Sequence, residues 1–227
     1  MAKVVGGALR SDERWHPASR LHVLHEDSRF APLEVSTLKP LFPNGFSRGA
    51  MLQVDGLRSS GRTSICMQVV AEATARGEVC AVVDLHDSFH PESAARAGIR
   101  LEQLVWIRCR GNAEHAMRVA DLLLHAGGFG VVLLDFCEAN ARVLNRIPLS
   151  YWYRFSRAIE HTPTILLLCV DSPQATSCFN SHLQIKRHVF HWSGKRPFLT
   201  LRGIQARVNA RRARAAWREP VYLQMVG

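Results

Sequence analysis

No apolar run in this 227-residue chain approaches the ~18 residues that cross a bilayer. The opening stretch, MAKVVGGALRSDERWHPASR, also lacks the hydrophobic segment of a signal peptide. Both absences lead us to expect a soluble, unsecreted protein with no membrane partner. No two of the six cysteines (Cys66, Cys80, Cys109, Cys137, Cys169 and Cys178) stand at Cys-x-x-Cys spacing, and several sit inside apolar runs such as VCAVVD and LLLCVD. They read as buried free thiols in a reducing compartment, not as a disulfide framework. Among the eleven histidines, His182, His188 and His191 invite a metal reading, but no carboxylate or thiol falls beside them at ligand spacing, so no metal is expected. Acidic residues are scarce, 19 against 29 lysines and arginines, for a formal charge of +10. That excess favours a polyanionic neighbour, either nucleic acid or an acidic protein surface. Internal repeats and low-complexity linkers are also missing.

The apolar residues that are present alternate between two patterns. Residues 1–35 are polar and irregular and read as a docking arm; a helical start is expected over Pro32–Lys39. Residues 36–227 read as a single domain. MLQVD (51–55) is a short strand candidate, GLRSSGR a glycine loop, and Thr63–Arg76 carries Ile65, Cys66, Val69, Val70 and Ala73 at helical spacing, stopped by Gly77. VCAVVD (79–84) closes a βαβ unit. A short helix over Pro91–Ala97, a strand at LVWIRC (104–109), a helix over Ala113–Ala126 capped by Asn112, a strand at VVLLD (131–135), a helix over Tyr151–Glu160 and a strand at TILLLCVD (164–171) follow. Strands apolar on both faces and separated by helices predict a mostly parallel twisted α/β sheet.

The tail changes period. LQIKRHVFHW, FLTLRG, IQARVNAR and VYLQMV alternate, with turns between, which predicts antiparallel strands at the C-terminal edge of the sheet. Arg207–Arg218 has the composition of a basic helix as well, but the alternation of Ile204, Ala206, Val208 and Ala210 with polar residues favours strand. Trp106, Trp152 and Trp192 lie in apolar patterns and are expected to pack internally. Trp15 and Trp217, in polar surroundings, suit partner contacts.

The last absence is the most telling. GLRSSGRTS (56–64) has the frame of a phosphate-binding loop, Gly-x-x-x-x-Gly-[basic]-Thr, between a strand and a helix, yet the lysine is missing and Arg62 stands in its place. Gly56, Ser59, Ser60, Gly61, Arg62 and Thr63 are therefore the candidate nucleotide-binding residues. Backbone N–H groups of such a loop wrap phosphate, the helix N-terminus faces the anion, lysine reaches the terminal phosphates and Thr holds magnesium. A guanidinium is a planar fork on a longer arm and does not occupy the place of a compact ammonium. Asp135, ending VVLLD, is the candidate metal-side acid; a strand-end aspartate capping the next element is the alternative. Ser59 and Ser60 have no His/Asp relay at readable spacing and need no nucleophilic role.

From about residue 36 to 192 the order of these segments resembles the RecA family. NGFSRGAMLQVDGLRSSGRTSICMQVVAEATARGEVCAVVDLHDSFHPESAARAGI resembles the RecA core through its phosphate loop, and LLLHAGGFGVVLLD resembles the Walker B segment. The short length, basic character and altered loop are most similar to the ImuA family, the RecA-like component of bacterial mutagenesis cassettes. The resemblance implies a bacterial cytoplasmic, non-hydrolysing RecA-like adaptor in damage-induced (SOS) translesion DNA synthesis. Its implied partners are RecA, an ImuB-like relative of Y-family polymerases and, indirectly, an error-prone replicative-type polymerase. At the position where RecA carries the glutamate that activates water, this chain has His86. The segment after LLLCVD, DSPQATSCFNSH, is shorter than the DNA-binding loop of RecA and lacks its glycines. The basic pair near the RecA C-terminus corresponds to Arg212 and Arg214. No cofactor is expected; a bound ATP with magnesium, in a DNA-dependent ATPase or recombinase relative, is the first alternative. A non-catalytic nucleic-acid binder acting through Arg207, Arg211, Arg212, Arg214 and Arg218 is the second, with a solvated basic face as its bland counterpart.

Overall fold

The computed structural model describes residues 29–32, 38–174, 177–212 and 221–226. The arm up to residue 28, Trp15, Trp217, Arg214 and Arg218 lie outside the described residues, as do residues 33–37 of the expected first helix. Its remaining end is a turn, in which the N–H groups of Leu41 and Phe42 both donate to the Leu38 carbonyl.

A two-stranded antiparallel ladder joins β1 (Phe30–Ala31) to β2 (Phe46–Ser47). The phosphate-loop strand β3 (Ala50–Gly56) leads through the loop into α1 (Arg62–Ala75) and then β4 (Cys80–Asp84). Next come α2 (Pro91–Arg96), β5 (Leu104–Arg108), α3 (Ala113–Ala126), β6 (Val131–Asp135), the short α4 (Ala141–Leu144), α5 (Leu149–Ile159) and β7 (Ile165–Val170). Three long C-terminal strands finish the chain: β8 (Ser181–Ser193), β9 (Thr200–Arg212) and β10 (Val221–Val226).

These strands form one eight-stranded sheet in the order β10-β9-β8-β3-β7-β6-β4-β5. Neighbours from β8 through to β5 are parallel; β9 and β10 add antiparallel. The expected architecture is therefore present, with two corrections at the edge. β8 is itself a parallel partner of β3, and antiparallel pairing begins only at β9. FLTLRG and IQARVNAR do not form two strands either: a single β9 crosses both, because β8 offers it one long partner.

Helices cover both faces of the parallel part. α1 lays Ile65, Cys66, Val69, Val70 and Ala73 on one face, against Leu52, Val54, Val82, Leu133 and Leu167. On the other, Met117, Ala120 and Leu124 of α3 and Trp152, Phe155 and Ile159 of α5 pack on Val83, Leu134 and Leu168. That double cover is why β4, β6 and β7 read as unbroken apolar runs. Asn112 caps α3 as expected, its Oδ1 accepting from His115 N at 2.9 Å. Trp152 is buried and Trp106 half-buried, but Trp192 is 56% exposed, against expectation. It lies on the part of β8 beyond Ile185, the last residue paired to β3.

Candidate functional site: an arginine-filled phosphate loop

Parallel strands that end at the same edge of a sheet bring their next residues together, and this edge gathers the chemistry. β3 is flanked by β8 and β7, while its sequence neighbour β4 lies beyond β7 and β6. The crevice at such a crossover is where open α/β sheets place ligands. The loop from Gly56 to Arg62 turns here. Gly61 takes φ +94° as the residue before α1, a left-handed conformation that favours glycine. Gly56 is required by crowding: a Cβ there would stand 2.5 Å from the Ile185 carbonyl oxygen and 2.5 Å from Ser60 Oγ. Ser59 is exposed at φ +59°, Thr63 is exposed on the first turn of α1, and Ser60 is buried with no partner for its hydroxyl. α1 has no side-chain cap and no acid in its first turn, so its N-terminal N–H groups keep their affinity for anions. All six loop residues singled out in the sequence thus share one strand-turn-helix.

Arg62 is where the site departs from that pattern. Its side chain is buried at 5% exposure and turned into the protein. Nη1 donates to the Gly56 carbonyl, Nε donates to Cys137 Sγ at 3.0 Å, and Nη2 pairs with Asp171 Oδ1 at 2.6 Å. Burial works against the charge, but Cys137 and Asp171 outweigh it and hold the guanidinium protonated above its ordinary value. The fork thus joins the ends of β3, β6 and β7. The three bonds leave three different nitrogens, whereas a lysine would have to make them all from one.

Asp135 ends β6 and is buried. Its Oδ1 accepts from Cys137 N at 3.1 Å, and Oδ2 from Ser88 Oγ at 3.5 Å. Burial raises its pKa, against the pull of Cys137. Its neighbour across the register, Asp84, is fully committed: it accepts from Ser88 N, Phe89 N and Trp106 Nε1. Asp84 is therefore a structural anchor for the β4–α2 loop. His86, two residues on, is exposed, separated from that anchor by the buried Leu85.

Three residues of the site carry no motif in the sequence. Asp171, Cys137 and Cys169 converge on the loop only because β3, β7 and β6 are consecutive in the sheet. Cys137 Sγ and Cys169 Sγ are 3.3 Å apart, and Cys66 of α1 lies in the same buried cluster. Contact with Cys169 and burial together push the Cys137 thiol well above its usual range, against Arg62. The strand-end position of Asp171, after an apolar run, was the only available signal.

Of the C-terminal basic residues, Arg207 and Arg211 stand apart. Arg207 is exposed on β9 opposite Lys186, whereas Arg211 is half-buried opposite His182 and, with Lys186, favours ionised Asp55 against that residue's burial. Four residues along a strand separate the two by about 13 Å. Arg212 ends β9 opposite Ser181.

A parallel sheet covered on both faces, with a phosphate-loop frame at its crossover edge, defines a RecA-like α/β protein. Comparison with known proteins finds the same likeness. Residues 39–143 match the RecA N-terminal domain family. The RecA protein of Laribacter hongkongensis is 34% identical over 95 residues, which cover 42% of this chain and 27% of that protein. The chain thus matches about a quarter of the length of this curated relative. The crystal structure of the RadB recombinase shares the fold, with a TM-score of 0.60 at 18% identity over 83% of this chain and 92% of that one. Among the described residues no helix is long and apolar enough to cross a membrane.

Proposed function

We propose that this protein is a non-hydrolysing RecA-like adaptor, one that keeps the architecture of a nucleotide-driven recombinase as a docking scaffold for translesion DNA synthesis. One observation carries the reading: the basic side chain that a phosphate loop offers to a triphosphate is here consumed by Gly56, Cys137 and Asp171. The backbone cradle of Gly56–Thr63 fits an anion. The side chains do not fit a hydrolytic ATP–magnesium site, since Arg62 points inward and the water-activating position is His86. RecA-type subunits join head to tail, a heterologous geometry that lets a look-alike cap a filament end. RecA and an ImuB-like polymerase relative are the partners this scaffold suits, with an error-prone replicative-type polymerase engaged through the latter.

The test pairs turnover with association. Purified protein with ATP, magnesium and single-stranded DNA should release no phosphate, and calorimetric titration with ATP–magnesium should give no saturable heat. Light scattering or pull-down with RecA, and with an ImuB-like protein, should show a complex. Turnover abolished by Thr63→Ala and by Asp135→Ala would establish the ATPase alternative instead. Failure to bind either partner removes the adaptor reading.

A second reading, direct nucleic-acid contact, is favoured by the outer half of the β8–β9 hairpin. There Lys186 and Arg207 face each other across the ladder, Arg187 lies over the Phe190 ring at 4.9 Å, and Trp192 and Phe198 are exposed. Cations interleaved with aromatic faces suit single-stranded nucleic acid. Anisotropy of a labelled single strand should rise on mixing, fall steeply with added salt and weaken in Arg207→Ala; no change at low salt would exclude it.

A further inference from the structure

Below the phosphate loop, on the face of the sheet that α1 covers, lies a donor cluster that neither the adaptor reading nor the nucleic-acid reading uses. Its placement follows from register. Asp135 and Cys169 are direct neighbours on β6 and β7, and Cys137 stands two residues past Asp135. Side chains two apart point to the same face of a strand, here the face shared by Leu133 and Leu167 with Cys66 of α1 above them. One carboxylate oxygen and the two sulfurs, all buried, lie within 4.8 Å of one another. Asp84, across the register from Asp135, is spent on Ser88, Phe89 and Trp106.

We propose that Asp135, Cys137 and Cys169 bind a zinc ion, with Cys66, outside that three-residue cluster, turning in as the fourth ligand. Two or three sulfurs with one carboxylate select a soft-to-borderline cation over magnesium. Ideal Zn–S bonds of about 2.3 Å put tetrahedral sulfurs roughly 3.8 Å apart. The observed Sγ–Sγ separation of 3.3 Å needs only a small side-chain rotation to admit the ion. Asp135 is poised for the role, because its Oδ2 holds only the long contact from Ser88. Arg62 supplies the outer shell: its Nε already donates to Cys137 Sγ, a bond that strengthens when the sulfur becomes an ionised ligand. Zinc binding releases the thiol protons to solvent. Two thiolates and one carboxylate carry three negative charges, of which the cation cancels two; Arg62, shared with Asp171, offsets part of the third. On this assignment the inward course of the loop arginine serves a buried metal site as well as Gly56 and Asp171.

The test uses the full chain, reduced and stripped with chelator, then titrated with cobalt(II) as a spectroscopic probe for zinc. The expected result is a sulfur-to-cobalt charge-transfer band in the near ultraviolet that saturates at about one equivalent and is discharged by added zinc. Cys137→Ser and Cys169→Ser should abolish the band, while Cys109→Ser, on the opposite face of the sheet, should keep it. Should a ligand variant fold poorly, the wild-type chain decides the matter alone: added zinc should raise its melting temperature and protect Cys137 and Cys169 from alkylation under mild denaturation. No band, a band indifferent to Cys137 and Cys169, no protection by zinc, or a Cys137–Cys169 disulfide in protein prepared with zinc each overturns the proposal. ATP turnover plays no part in any of these readouts.

Discussion

β7 and the outer half of β8 belong to one sheet, yet they live in different environments. All six residues of β7 are buried, with a strand on either side and helices on both faces. β8 is largely buried from Ser181 to Ile185, beside β3, and exposed or half-exposed from Lys186 to Ser193. The change falls at the residue where β3 ends, since Gly56 pairs with Ile185 and nothing beyond it has a partner on that side. Cover and composition change together: ILLLCV is apolar throughout and enclosed, whereas KRHVFHWS alternates and runs past the end of β3. The covered half has a RecA-like strand order, and the ends of its strands gather Arg62, Asp135, Cys137 and Asp171.

The sharpest way to break this comparison is a matched pair of leucine truncations. Leu167 sits at the middle of β7, fully buried in the α1-side core. Leu167→Ala should cost about 3 kcal/mol through lost transfer energy and a cavity that a sheet with neighbours on both sides cannot close. Leu201, opposite Trp192 on β9, is 40% exposed, and Leu201→Ala should change stability by less than about 0.5 kcal/mol. Urea unfolding of both variants decides it; equal costs would mean that the hairpin is packed against something the chain supplies itself.

The covered half was legible because double cover imposes continuous apolar runs, and VVLLD appears as β6 without a residue's shift. Phosphate-loop residues were legible for a related reason: glycines at two fixed positions answer to backbone geometry, and Gly56 and Gly61 meet it. The partners of Arg62 were not legible. Cys137 and Asp171 lie 75 and 109 positions along the chain from it, and only the strand order β3-β7-β6 brings them within reach. Trp192 was misjudged for the complementary reason, since an alternating pattern says that a strand has two faces but not that a layer covers one of them.

Acid should separate the two regions next. Glu78, buried between α1 and β4, takes bonds from Arg48 Nη2 and Arg76 Nε, each at 2.8 Å. Burial alone would raise its pKa, but the two guanidinium groups outweigh burial and hold it below its ordinary 4.5. A carboxylate depressed in the folded state contributes stability that is whole above the unfolded pKa and is lost as pH falls through the folded one. Thermal melts should therefore drop below about pH 4.5, and the drop should be shallower in Glu78→Gln. Asp55, raised by burial despite bonds from Gln53 and Gln184, has the opposite sign: its term favours the folded state as pH falls, so the difference between wild type and Glu78→Gln isolates the Glu78 limb. At neutral pH, Arg48→Met should cost about 3 kcal/mol by leaving a buried carboxylate one partner short. A pH profile unchanged by Glu78→Gln would show the triad to be electrostatically idle.

The smallest effect belongs to the hairpin tip. Phe198 is 84% exposed, so Phe198→Ser removes almost no buried surface and should leave the urea midpoint within error. What it should change is contact with other molecules. An aromatic ring held in water beside Lys195 and Arg196 offers a stacking face next to positive charge, and the variant should weaken single-strand anisotropy by a few-fold while the fold stays intact. A large loss of stability on this substitution would mean that the tip is buried against another part of the chain, and the distinction between a covered half and an open half would then fail at the residue where it is most pronounced.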